Sequence, residues 1–74
     1  MIMLERVQSI IAKFTEAEEI TPESALAADL GLSSFDLVSI VAEFEDEFDL
    51  EVPDRDIPGF VTVGDILRYI EERS

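Results

Sequence analysis

Two adjacent serines, Ser33 and Ser34, stand immediately before Phe35 and Asp36 and a long run of apolar and acidic residues. Ser33 with Asp36 three positions on fits a capping box, which predicts a helix beginning at Ser34. A hydroxyl there lies where unbonded backbone amides and the positive end of the helix dipole favour a bound or attached phosphate. The plainer reading is a serine that merely starts a helix. The remaining chemistry-bearing residues are carboxylates: 18 acidic residues face 5 basic ones, a net charge of −13, with no histidine and no cysteine. An imidazole base, a Ser-His relay, a disulfide and a Cys-based zinc site are thereby excluded. A paired-carboxylate hydrolase needs two acids in a cleft with their pKa values driven apart, whereas these acids fall at positions that read as solvated. The run Asp49 to Asp56 lacks the glycine and the terminal glutamate spacing of a calcium-binding loop, so no metal site is expected. Any chemistry must use hydroxyls, carboxylates or a group attached later, and the chain is not expected to be an enzyme.

The elements that carry these residues belong to one small domain, since 74 residues cannot supply two cores. The surplus charge disfavours nucleic-acid phosphates and anionic membranes as partners. No long apolar run marks a membrane span or a leader, and the expectation is a monomer in the cytoplasm. The charge is uneven: residues 36–56 hold nine acids against one base, a net of −8 within 21 positions. An interaction surface is expected there.

Leu4, Val7, Ile10, Ile11 and Phe14 recur at spacings of three and four, which predicts a first helix over about residues 2–14. From Thr15 to Ser33 the periodicity fails, and Thr21-Pro22 and Gly31 are turn signals, so a long connection is expected with one short helical turn at 22–26. A second helix should run from Ser34 to Phe48. Val52-Pro53-Asp54 then breaks the pattern, Asp54 to Ile57 can form one turn, and Pro58-Gly59 breaks it again. Thr62 with Asp65 supplies another capping box, and Val63, Ile66, Leu67 and Ile70 form the apolar face of a last helix ending near Arg73. No segment alternates for long enough to require a strand. The fold class is all-α: a small four-helix bundle of three longer helices and one short one, with a long first loop.

On the second helix, Leu37, Ile40, Val41, Phe44 and Phe48 share an arc about 100° wide that faces the core. Phe35, Val38 and Ala42 fall about 120–180° away, beside Glu45, Asp46 and Asp49. A helix packed on one face has no structural need of that second stripe. Either Phe35 folds back on the preceding loop and Val38 is a tolerated surface residue, or the stripe docks a partner presenting an apolar knob among arginines and lysines.

The run Asp29-Leu30-Gly31-Leu32-Ser33-Ser34-Phe35-Asp36-Leu37-Val38, the acidic stretch Glu43 to Phe48, the turn Leu50-Glu51-Val52-Pro53-Asp54 and Thr62-Val63-Gly64-Asp65 together closely resemble acyl carrier proteins over essentially the whole chain. The resemblance implies that a phosphopantetheinyl transferase (a holo-acyl-carrier-protein synthase) moves 4′-phosphopantetheine from coenzyme A onto the hydroxyl of Ser34. Ser34 corresponds, rather than Ser33, because the family's modified serine is followed by an apolar residue and then Asp. The resemblance further implies that the arm's thiol carries acyl groups as thioesters to acyl-transfer, condensing and modifying enzymes of fatty-acid, polyketide or specialised lipid synthesis. Basic patches on those partners would meet Asp36, Glu43, Glu45 and Asp46 around Phe35, Val38 and Ala42. By position, Phe44, Ile57, Phe60 and Val61 are the candidates to line an acyl chain, with ordinary core packing as the alternative.

The chain departs from the family's common pattern in three places. Ser33 stands where Asp precedes the modified serine, Phe35 stands for Leu, and Ser39 replaces an acid of the docking face. These changes trim charge from the patch, enlarge its apolar contact and leave open a general fatty-acid carrier or a dedicated one. A peptidyl carrier would show a second glycine at Leu32 and a less acidic helix. The rival of another class is an unmodified acidic adaptor that binds a basic partner.

Overall fold

A computed structural model describes residues 2–73. Three α-helices, α1 (Ile2–Ala12), α2 (Ser34–Phe48) and α3 (Val63–Arg73), are joined by a long first connection and by a 3₁₀ helix (Asp54–Gly59) between α2 and α3. The all-α expectation holds among the described residues, in the order and number of helices the sequence predicts.

Each helix buries the stripe its periodicity marks. Val7, Ile10 and Ile11 of α1, Ile40, Val41 and Phe44 of α2, and Val63, Ile66 and Ile70 of α3 form one core with Leu26, Leu30, Leu32, Val52 and Phe60 from the connections. Leu37, Phe48, Phe14 and Leu67 pack partly buried against it. Burying each of the large aliphatic side chains contributes about 1.5–3 kcal/mol.

Three local expectations need correction. Helix α1 ends at Ala12, not residue 14, because the amides of Lys13 and Phe14 turn to the carbonyls of Ile10 and Ile11 in a tightened last turn. The helical turn expected at 22–26 lies later: Asp29 and Gly31 donate to the carbonyls of Ala25 and Ala27, and Gly31 takes φ 69°, a left-handed conformation that glycine adopts without strain. Pro58 and Gly59 do not break the short helix but complete it, since proline at that place forfeits only its own amide bond.

The first connection is stitched to the segment before α3. Leu26 donates to the carbonyl of Val61 (2.8 Å), Val63 to that of Ser24 (3.0 Å) and Gly64 to that of Pro22 (2.8 Å), around an isolated bridge between Ala25 and Thr62. Across the other side, Arg6 pairs with Glu47 (Nε to Oε2, 2.8 Å) while its guanidinium lies over the Phe48 ring at 4.6 Å. Lys13 pairs with Glu43. Arg6 of α1 and Lys13, just past its end, thus clasp two of the acids of α2.

Candidate functional site

The N-terminus of α2 is built by the capping box. The Asp36 amide donates to Ser33 Oγ (3.1 Å), and the Ser33 amide donates to a carboxylate oxygen of Asp36 (3.0 Å). This reciprocal pair satisfies two amides and leaves Ser34, the first residue of the helix, with an exposed side chain. Asp36 in the first turn also suits the helix dipole.

Ser34 sits on the rim of two cavities, and Leu37, one turn along the helix, borders both. The first, about 280 Å³, runs under the first connection, between Ala25 to Ala28 and Leu32 on one side and Phe60 and Val61 on the other. The second, about 360 Å³, runs between α2 and the 3₁₀ helix and is lined by Val38, Asp54, Ile57 and Pro58. Of the four sequence candidates for lining an acyl chain, Ile57, Phe60 and Val61 therefore lie around Ser34. Phe44 is fully buried in the core and lines neither cavity. Leu37, Pro58 and the alanines of residues 25–28 are not marked as lining residues by the sequence; the small side chains of Ala25, Ala27 and Ala28 are the one signal of a thin wall there.

On the outer face of α2, Phe35 is 79% exposed and Val38 52% exposed, and Ala42 is exposed beside them. The alternative in which Phe35 folds back on the preceding loop is not what the structure has. The acids near this stripe differ in their engagements. Asp36 is held by the capping box, Glu43 by Lys13, and Glu45 accepts the amide of Val52 (2.8 Å), tying the loop after α2 to the helix. Asp46 is exposed, and among the described residues its carboxylate has no hydrogen-bond or ion-pair partner. The helix closes at Asp49 in a left-handed conformation (φ 55°), whose amide returns to the carbonyl of Glu45.

Behind the cavities, α3 begins at a second capping box. One carboxylate oxygen of Asp65 accepts the amides of Thr62 and Val61 (both 3.0 Å), and the Asp65 amide donates to Thr62 Oγ1 (3.2 Å). The Thr62 and Val61 amides hold the Asp65 carboxyl below the usual carboxylate range, with Arg68 adding to the effect. Further along α3, the Tyr69 hydroxyl donates to Asp56 (2.7 Å), its ring meets Phe60 edge-on at 5.1 Å, and the Arg73 guanidinium lies 3.5 Å over it. Burial, and then the bond to Asp56, push the tyrosine pKa up.

Residues 5–70 match the family model described as a phosphopantetheine attachment site. The chain is similar in structure to the Mycobacterium tuberculosis protein Rv0033, described as an acyl carrier protein, with a TM-score of 0.89 and 32% sequence identity. That match covers 97% of this chain and 99% of the other. Carrier proteins of this family interact with a phosphopantetheinyl transferase and with acyl-processing enzymes. The helix order, the acidic α2 and the family match agree: the chain belongs to the phosphopantetheine-binding carrier proteins, is of the acyl-carrier type, and is a carrier rather than an enzyme.

Proposed function

We propose that Ser34 is the attachment point, and that residues 1–74 act as one carrier domain which presents acyl groups to enzymes of fatty-acid or related polyketide or specialised lipid synthesis. The observation that carries this reading is the position of Ser34: an exposed hydroxyl on the first residue of α2, on the rim of two largely apolar cavities. The family's group fits these surroundings. A phosphodiester at the serine oxygen stands at the positive end of the helix dipole, and no acid side chain other than the cap Asp36 is fixed within that first turn. The group, when attached, supplies the thiol that this cysteine-free chain lacks. Attachment forms the bond from Ser34 Oγ to the pantetheine-side phosphorus as the bridging P–O bond of coenzyme A's pyrophosphate breaks, adenosine 3′,5′-bisphosphate leaving with the bridging oxygen and the serine proton passing to a base of the transferase.

In this reading Phe35, Val38 and Ala42 form the apolar centre of the docking face. Asp36, Glu43, Glu45 and Asp46 rim it, with Asp46 the acid whose charge is uncommitted within the fold. Ile57, Phe60 and Val61, with Leu37 between the cavities, form the walls against which an acyl chain rests. The surplus negative charge supports a monomer, and no helix among the described residues is long and apolar enough to cross a membrane.

Intact-mass measurement of the protein incubated with coenzyme A and a broad-specificity phosphopantetheinyl transferase tests the proposal. The expected result is a gain of one phosphopantetheinyl group, abolished by Ser34→Ala and retained by Ser33→Ala. A full gain in Ser34→Ala, or none in the unaltered chain with a competent transferase, overturns it and favours an unmodified adaptor.

A further inference from the structure

The 3₁₀ helix is weakly anchored in its own right. None of its six residues is fully buried, and Ile57 alone packs partly buried against the core. Its ends are fixed by neighbours, Val52 before it and Phe60 after it, both in the core. Between those ends, the hydrogen bond from the Tyr69 hydroxyl to Asp56 is the one side-chain hydrogen bond or ion pair that ties the element to another part of the molecule, among the described residues. The inner side of the same short helix carries Ile57 and Pro58, which form the wall facing Ser34.

Tyr69 is placed to control both walls at once. Its hydroxyl holds the outer side of the 3₁₀ helix through Asp56, and its ring edge supports Phe60, which borders the other cavity. The ring is itself kept in place by Arg73 from the following turn of α3. A hydrogen bond to a carboxylate is among the stronger kinds, and among the described residues the partly buried donor has no other hydrogen-bond partner. The outer wall of the larger of these two cavities is therefore a segment with two fixed ends, one apolar contact through Ile57 and one polar latch at Asp56.

We propose that the Tyr69–Asp56 hydrogen bond is a latch that sets how far the 3₁₀ helix stands from α2, and thereby which lengths of acyl chain the cavity beside Ser34 admits. The latch rests on the reading that the acyl chain lodges against Ile57 and its neighbours. Tyr69 and Asp56 are positioning residues: neither touches the cargo, and both act through the wall.

Two measurements on the full chain separate the latch from the reading beneath it. In the unmodified protein, Tyr69→Phe keeps the ring against Phe60 and removes only the hydroxyl. Hydrogen exchange at the amides of Asp56 and Phe60, which close the 3₁₀ helix on Pro53 and Ile57, should quicken about tenfold relative to those of α1. Asp56→Asn, which keeps an acceptor oxygen, should restore most of the protection that Asp56→Ala loses. In the second measurement the wild type and Tyr69→Phe are loaded with saturated acyl chains of four to twelve carbons and melted. The wild type should gain thermal stability with chain length up to a plateau, and Tyr69→Phe should reach its plateau at a longer chain. Unchanged exchange at Asp56 and Phe60 overturns the latch. Altered exchange with parallel gains in the two proteins shows a strut that does not gate the cavity, and also overturns the proposal. If no chain stabilises the wild type, the lodging of the chain fails first and the length selection with it, while the exchange result still reports whether the latch exists.

Discussion

Single residues here do more than their types announce, and Asp65 is the clearest case. One carboxylate oxygen takes two backbone amides and so starts α3 and fixes Val61 beside Ser34. Because its folded pKa is lowered, the group adds stability that is present above the unfolded carboxylate value, about 3.9, and is lost as pH falls through the lower folded value. Asp65→Asn should therefore melt below the wild type at pH 7, and the gap between them should narrow as pH drops below about 4. Thermal melts of both proteins across pH 2.5–7 check this; comparing the two cancels the protonation of the other acids. Ser34 shows the opposite economy: its hydroxyl contributes nothing to the capping box, which Ser33 and Asp36 complete without it.

At the scale of the element, α2 sorts its acids by what they already hold. Glu45→Lys removes the acceptor of the Val52 amide as well as reversing a charge, so it should lower the melting temperature by the equivalent of about 1 kcal/mol while it weakens docking. Asp46→Lys changes the field and nothing the fold depends on. We expect it to slow modification by a transferase roughly three- to tenfold at low salt, with the difference shrinking at high salt and no loss of thermal stability. Glu45→Gln, which keeps the acceptor, should melt close to the wild type. Transferase kinetics at two salt concentrations, with a melt of each variant, distinguish these cases, and an unchanged rate for Asp46→Lys would remove the electrostatic part of the docking argument. Glu43 and Glu47 are already matched by Lys13 and Arg6, which makes the clasp between α1 and α2 a competitor for any basic partner that approaches them.

Over the whole molecule the net charge of −13 is held on 74 residues, and the cations offset only part of it. The ion pairs are all at the surface, where each contributes about 0–1 kcal/mol and is screened by salt. Repulsion among the remaining carboxylates is screened by the same salt and outweighs them in number. The melting temperature should therefore rise from low to physiological ionic strength, and rise further with divalent cations. Scanning calorimetry across that range measures it, and a flat or falling trend would show that the clasps matter more than the repulsion.

The amino-acid order alone was enough to mark the three stripes that make the core, because spacings of three and four residues leave a helix one way to bury its apolar side. It determined the start of α2 as well, since Ser33 and Asp36 form a reciprocal cap through contacts only three residues apart. It also marked Phe35 and Val38 as residues without a place in the core. Tertiary packing, by contrast, brings Ile57, Phe60 and Val61 around Ser34, gives Glu43 and Glu45 partners of their own, and lets Tyr69 grip the 3₁₀ helix through Asp56. Those facts depend on pairs of residues from 7 to 30 positions apart, Val52 with Glu45 the nearest and Lys13 with Glu43 the farthest. Local periodicity carries no information at such distances; the packing of one helix against another supplies it.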